Sequence, residues 1–325
     1  MMRKKLTKII YKQMVKALGK VLRSDALPPY AAAEPLQPDE SADLNLLVWA
    51  DPQISALSPL RAARVACACK DVRRAKGRYD ALILAGDLTE YGMVCEYKLL
   101  SDLLKTVAQR VDSVLAVPGN HDIRLRKYRN QVRVFDRFLG SVQGAVRLKG
   151  EGYFRTVDRK GCRFVLLGAD RSSFEASYLS DAQLCKLDEA LAAADPDKPV
   201  FVVNHQPLKY TNGLPKTFLG RGDWRGSVGR ESDKLRVILE KYGNAVYITG
   251  HLHYGTSRYL YEKIGRFHAI NVPTVGVINH GDCDAFAQGL VLTVHGNRIT
   301  VRARVFGEGK YIDDSNPGAA VTFTV

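Results

Sequence analysis

From residue 45 onward, short apolar runs recur at 46–48, 81–85, 114–117, 200–203 and 245–248, bounded by turn formers such as Gly, Pro and Asn. Runs of this length, rich in β-branched and aliphatic residues, read as strands buried on both faces. Segments of helical spacing lie between them: 59–76, 94–109, 180–193 (opened by Ser180 and Asp181) and 231–242, with a further strand at 163–168. Strands alternating with helices predict an α/β fold. Beyond residue 253 the pattern turns to strands alone, at 258–263, 267–272, 290–294 and 299–305. Gly296-Asn297 between the last two is a tight hairpin signal. The expected architecture is two facing mixed β-sheets flanked by helices, within one domain spanning 45–325.

Two segments precede that domain. Lys4, Lys8, Lys12, Lys16 and Lys20 recur every four residues, as do Leu6, Ile10, Met14, Leu18 and Leu22. Residues 1–23 therefore predict a basic amphipathic helix with an apolar stripe beside a lysine stripe. Residues 24–44 carry four prolines and no helical period, which predicts a linker.

The strand-like runs lead into residues that bind metals. Asp51 and Gln53 follow the first, and Gly86-Asp87 the second. Gly119-Asn120-His121-Asp122 follows the third, Asn204-His205 the fourth, and Gly250-His251-Leu252-His253 the fifth. Side chains leaving the carboxyl ends of neighbouring strands converge on one crevice. Asp51, Gln53, Asp87, Asn120, His205, His251 and His253 there would form a metal site. Mixed oxygen and imidazole donors suit Mn, Fe or Zn better than Ca or Mg alone. A carboxylate shared between two cations would hold them roughly 3.5–4 Å apart, the spacing used in phosphoryl displacement.

These five blocks, in this order, resemble the calcineurin-like metallophosphoesterase superfamily, and the resemblance runs from residue 46 to about 305. It implies a four-layer sandwich and hydrolysis of a phosphomonoester or phosphodiester by a hydroxide bridging two divalent metals. Asp51, Gln53, Asp87 and His253 would hold one metal; Asp87 would bridge to a second held by Asn120, His205 and His251. His121 would donate a proton to the leaving group, and Asp122 would orient its ring. One departure is Gln53, where most members of the superfamily place histidine; a subgroup shares the Asp-x-Gln form. A neutral amide oxygen is a weaker and harder donor than imidazole, so a looser first site favouring Mn over Zn is expected. The alternative reading is a catalytically impaired membrane-surface scaffold that keeps the fold.

Charge refines the picture. The net charge is +14, and eight basic residues with no acidic ones lie in the first 23 positions, which leaves +6 for the remainder. Nucleic acid is not the expected partner, because the excess sits in the helix and no nucleic-acid module is recognisable. An anionic membrane surface is the partner expected for residues 1–23. With no window apolar enough for a signal peptide or a membrane span, the expected location is cytoplasmic, peripheral at the inner membrane face. Six cysteines without paired spacing are expected as reduced thiols, and His268, His280 and His295 as structural or surface residues. Arg124, Arg126, Lys127 and Arg129 follow Asp122. Lys209, Lys216, Arg221, Arg225 and Arg230 follow His205, together with Tyr210, Phe218 and Trp224. These loops would border the cleft, with Arg124, Lys209 and Trp224 as substrate contacts. The phosphorylated substrate's class is not encoded in the metal site.

Overall fold

The computed structural model describes residues 2–23, 34–150, 152–220, 224–281 and 287–325. In chain order the elements are α1 (Met2–Arg23), β1 (Leu44–Trp49), α2 (Pro59–Arg73), β2 (Tyr79–Ala85), α3 (Val94–Leu104), β3 (Val111–Val117), α4 (Asn120–Ile123) and α5 (Tyr128–Leu139). Then come β4 (Arg155–Arg159), β5 (Cys162–Leu166), α6 (Asp181–Ala192), β6 (Val200–Val203), α7 (Ser232–Glu240) and β7 (Ala245–Thr249). The remainder is all strand: β8 (Tyr261–Ile264), β9 (Phe267–Asn271), β10 (Gln288–His295), β11 (Arg298–Val305), β12 (Lys310–Tyr311) and β13 (Ala320–Thr324).

Two mixed sheets result. One has the order β12-β11-β10-β1-β2-β3, with β13 also on β11; the other has β4-β5-β6-β7-β9-β8. Alternation along each strand assigns its two faces. In β1, Leu46 and Val48 enter the core between the sheets, while Leu47 and Trp49 pack under the helices. In β6, Phe201 and Val203 face the first sheet, with Phe201 stacked on Phe164 at 5.1 Å; Val200 and Val202 face α6 and α7. Because both faces are covered, these strands read as continuous apolar runs rather than alternating ones. Full burial of a side chain such as Phe201 contributes roughly 1.5–3 kcal/mol. The layers are thus helices, sheet, sheet, helices.

The Gly296-Asn297 hairpin forms as expected, with His295 paired to Arg298. Strand β4 lies outside the expected set: its sequence, Arg-Thr-Val-Asp-Arg, carries too few apolar residues to signal a strand. It is an edge strand exposed on one side, where charged residues limit unwanted pairing.

The expected N-terminal helix forms over Met2–Arg23. Residues 24–33 of the expected linker lie outside the described residues. Residues 34–43 pack on the domain: Leu36 is buried, the Lys76 amide donates to the Leu36 carbonyl (2.8 Å) and the Glu34 amide to the Gly309 carbonyl (3.1 Å). Helix α1 is docked, and a stripe of Tyr11, Val15 and Gly19 meets the domain. Ile10 and Met14, expected on the apolar stripe, are half exposed instead. One polar anchor decides this rotation of the helix. The Tyr11 hydroxyl donates to Glu96 Oε1 (2.5 Å), lies 3.2 Å from Ser55 Oγ and accepts from the Ala56 amide (3.1 Å).

Glu96 is fully buried, and burial pushes its pKa from 4.5 up to about 7. Between those values the native chain holds a proton that the unfolded chain has released. Stability contributed by this group is therefore complete below pH 4.5 and lost as pH rises through 7, a change on the order of 2–3 kcal/mol. Glu96→Gln should remove that dependence. Between pH 5 and pH 8 the variant should gain on the wild type by about that amount, read from denaturant midpoints.

Candidate metal centre

The donors converge because β1, β2, β3, β6 and β7 run parallel within their sheets and end at one edge of the sandwich. The turns that follow are tight. Asp51, Gln53, Asp87, His251 and His253 all adopt positive φ, from 37° to 73°, and make up half of the ten non-glycine residues that do so among those described. Each left-handed residue costs roughly 1–3 kcal/mol and persists where the surroundings over-determine it, typically at functional sites. Two glycines allow the close approach. A Cβ on Gly86 would lie 2.4 Å from His205 Nδ1, and its φ of 90° suits glycine alone. A Cβ on Gly119 would lie 2.1 Å from Asp87 Oδ1.

Two groups of ligand atoms form, each with its members within 4.8 Å: Asp87 with His205 and His251, and Asp51 with Asp87 and His253. Asp87 belongs to both. Gln53 and Asn120 complete the ring. The Gln53 amide lies 3.1 Å from Asp87 Oδ2. Asn120 donates its amide to the Phe174 carbonyl (3.1 Å), while its Oδ1 is buried with no hydrogen-bond partner. A buried amide oxygen without a donor costs about 1–3 kcal/mol unless something else meets it. A cation would.

The imidazoles tell the same story. His205 Nδ1 donates to the Ala85 carbonyl (2.8 Å), so its Nε2 lone pair points at Asp87 Oδ2 (3.1 Å) and Asp51 Oδ1 (3.7 Å). His251 Nε2 donates to the Arg225 carbonyl (3.3 Å), which turns its Nδ1 toward His205 Nε2, 3.3 Å away. Anchoring the outer nitrogen on a carbonyl is how ligating histidines are fixed in tautomer and direction. Two inward lone pairs beside two carboxylates need a positive charge between them. With protons alone to supply it, burial works against the charge on His205, yet Asp87 and Asp51 hold its pKa up at about 9. Burial and the neighbouring His205 charge hold His251 down at about 3. Burial opposes the Asp87 carboxylate too, but His205 and His121 keep its pKa well below the usual range. The residues present fit a pair of divalent cations. His253, its Nε2 3.1 Å from Asp51 Oδ1, is the one partly exposed member of the seven.

His121 sits at the rim, its Nε2 3.8 Å from Asp87 Oδ2 and its backbone amide donating to Asp87 Oδ1 (2.8 Å). Its expected contact with Asp122 is not made. Asp122 is buried and accepts from the Leu88, Thr89 and Gly119 amides, the Thr89 hydroxyl and the Tyr97 hydroxyl. It ties the Asp87 loop to the Asn120 loop and is directed away from the imidazole. The acidic partner of His121 is Glu90, whose Oε1 lies 3.2 Å from Nδ1 and which also pairs with Arg61 and Arg124. Glu90 follows Asp87 by three residues in the same loop, a nearness that could have marked it. Burial opposes the charge on His121, but Asp87 and Glu90 raise its pKa.

Arg124 reaches the centre through Glu90 (3.4 Å). Lys209 and Trp224 stand together on a groove of about 560 Å³ that Arg171, Tyr178 and Arg230 also line. The Trp224 neighbour Arg225 gives its carbonyl to His251. Phe218 stacks on His251 at 5.2 Å, and Arg221 lies outside the described residues. His268 stacks on Phe323 at 4.4 Å with its Nδ1 2.9 Å from the Tyr261 hydroxyl, and His280 donates to the Leu252 carbonyl (2.9 Å) beside the ligand loop; both are structural. No disulfide occurs among the described residues.

This chain belongs to the calcineurin-like phosphoesterase family, whose model matches residues 45–255. It is 30% identical over 182 residues to a "Probable cyclic nucleotide phosphodiesterase" of Rhodococcus erythropolis, covering 55% of this chain and 53% of that protein. It is 28% identical over 184 residues to a cAMP/cGMP dual specificity phosphodiesterase of Mycobacterium tuberculosis, covering 55% of this chain and 50% of that one. The chain thus spans about half the length of the curated relatives it matches. Among solved structures, a purple acid phosphatase from yellow lupin seeds superposes with a TM-score of 0.59 at 14% identity, covering 91% of this chain and 55% of that one. That likeness concerns the fold.

Proposed function

We propose that the chain is a dinuclear metal-dependent phosphoester hydrolase acting on a phosphodiester. The observation that carries this reading is Asp87, one buried carboxylate shared by two groups of inward-facing ligand atoms beside an unpartnered Asn120 oxygen. The names of the two curated relatives support the diester assignment. Asp51, Gln53, Asp87 and His253 would hold one cation; Asp87, Asn120, His205 and His251 would hold the other. Manganese is the expected metal, with iron and zinc the other candidates, since Gln53 offers a hard oxygen where imidazole would favour zinc. When bound, the cations supply positive charge to the phosphoryl oxygens and activate the attacking water.

The chain's own residues do the rest. Glu90 holds His121 at the mouth with Nε2 toward the centre, where the imidazolium donates its proton to the departing alkoxide. Arg124 adds a charge beside Glu90, and the groove of Lys209, Trp224 and Arg230 receives the remainder of the substrate, its cations drawing in phosphate charge. Asp122 acts indirectly, holding the two ligand loops in register.

The test is hydrolysis of bis(p-nitrophenyl) phosphate, cAMP and cGMP by the full chain with added Mn²⁺. Turnover on at least one diester that a chelator removes and Mn²⁺ restores is the expected result. Little metal retained per chain, with no turnover on any mono- or diester, would leave the scaffold reading instead.

A further inference from the structure

Helix α1 carries no metal ligand, yet its outward face differs from the rest of the surface. Thirteen large apolar residues are exposed among those described, and six of them lie on or beside the three mutually packed helices α1, α2 and α3: Ile9, Ile10 and Met14 on α1, Leu57 and Leu60 at the start of α2, and Val94 opening α3. A cluster of this kind marks an interaction site, whereas single exposed apolar residues do not. Between α1 and α3 runs a groove of about 920 Å³, floored by Val15, Gly19, Met93 and Leu99. Lys8, Lys12, Lys16, Lys98 and Arg126 line the same groove, and Asp102, the one carboxylate among its lining residues, already pairs with Lys98 and Lys105.

We infer that this face docks on an anionic lipid bilayer, with Ile9, Ile10, Met14, Leu57 and Leu60 entering the boundary between headgroups and acyl chains. Apolar side chains backed by a cationic row match an anionic interface in both respects. A duplex nucleic acid would match the charge and leave the apolar residues exposed. The surface is preformed: the buried Tyr11 anchor on Ser55, Ala56 and Glu96 fixes which residues of α1 face outward. Because Ser55 and Ala56 follow the Gln53 turn and Val94 opens the helix after the Asp87–Glu90 loop, the docking face lies at the same end of the sandwich as the metal centre. No helix among the described residues is long and apolar enough to cross a membrane, so attachment would be peripheral.

Sedimentation of the full chain with phosphatidylcholine vesicles, with and without phosphatidylglycerol, tests this. Binding is expected with the anionic vesicles alone. Because each lysine at such a surface contributes roughly a factor of five, K8E/K12E/K16E should lower the partition coefficient by more than about a hundredfold, since reversal adds repulsion to the lost attraction. I9S/I10S/M14S should weaken binding with the lysines intact. Both variants should keep the wild-type melting temperature and the wild-type rate on a soluble aryl diester, which separates failure here from failure of the catalytic reading. Wild-type protein left in the supernatant would overturn the inference. So would a charge-reversed variant that sediments like wild type, or binding to duplex DNA without binding to vesicles.

Discussion

Replacing Asp87 by Asn is expected to lower kcat/KM for a phosphodiester about 10³–10⁴-fold and to reduce bound metal from about two ions per chain to one or fewer. The substitution is nearly isosteric, and Asp87 is buried, so the fold should persist. What changes is charge. Asp87 is the member common to both ligand groups, and its carboxylate faces His205, His121 and the Gln53 amide. A neutral amide in its place weakens both sites at once. The loss of several kcal/mol of electrostatic stabilisation corresponds to the stated fall in rate. Elemental analysis and single-turnover kinetics on the same sample provide the check. Full metal content with undiminished turnover would exclude Asp87 as the bridge.

The second large effect should come from His121→Ala, and it should depend on the leaving group. General acid catalysis contributes about 10²–10⁴-fold where the departing oxygen needs a proton. A diester with an alkyl leaving group should therefore lose that much, and bis(p-nitrophenyl) phosphate, whose phenolate leaves unaided, far less. Glu90→Gln should give a smaller loss of the same kind and a distinct pH signature. Glu90 and Asp87 raise the pKa of His121, and an acid catalyst works only while protonated. The rate on an alkyl diester should fall as pH rises through that pKa. Removing the Glu90 charge should move the falling limb to lower pH. A uniform loss on every substrate in the His121 variant would point to a positioning role.

How much of this was legible from the chain depends on how local each signal is. Asp87 and Asn120 were readable because each follows an apolar run, and a strand end in a parallel sheet is a place as well as a conformation. The glycines at 86 and 119 mark where backbone and side chains approach too closely for a Cβ. The partner of His121 was not readable that way. Asp122 is adjacent in sequence, but its carboxylate is taken by amides of the Asp87 loop and by Tyr97, and Glu90 reaches the imidazole only because β2 and β3 lie side by side. Helix α1 shows the same division. Its four-residue periods were plain, while the seating of Tyr11, Val15 and Gly19 came from one hydroxyl finding Glu96 and the Ala56 amide.

By itself, then, the sequence determined the α/β layering, the seven candidate donors that gather at the strand ends and the basic amphipathic character of the first helix. These are properties of short stretches, set by periodicity and by the chemistry of individual side chains. Tertiary structure alone decided which carboxylate holds His121, which tautomers aim His205 and His251 inward, and which flank of α1 meets solvent. Each of those depends on a hydrogen bond between residues dozens of positions apart, and no local pattern encodes the partner at the far end.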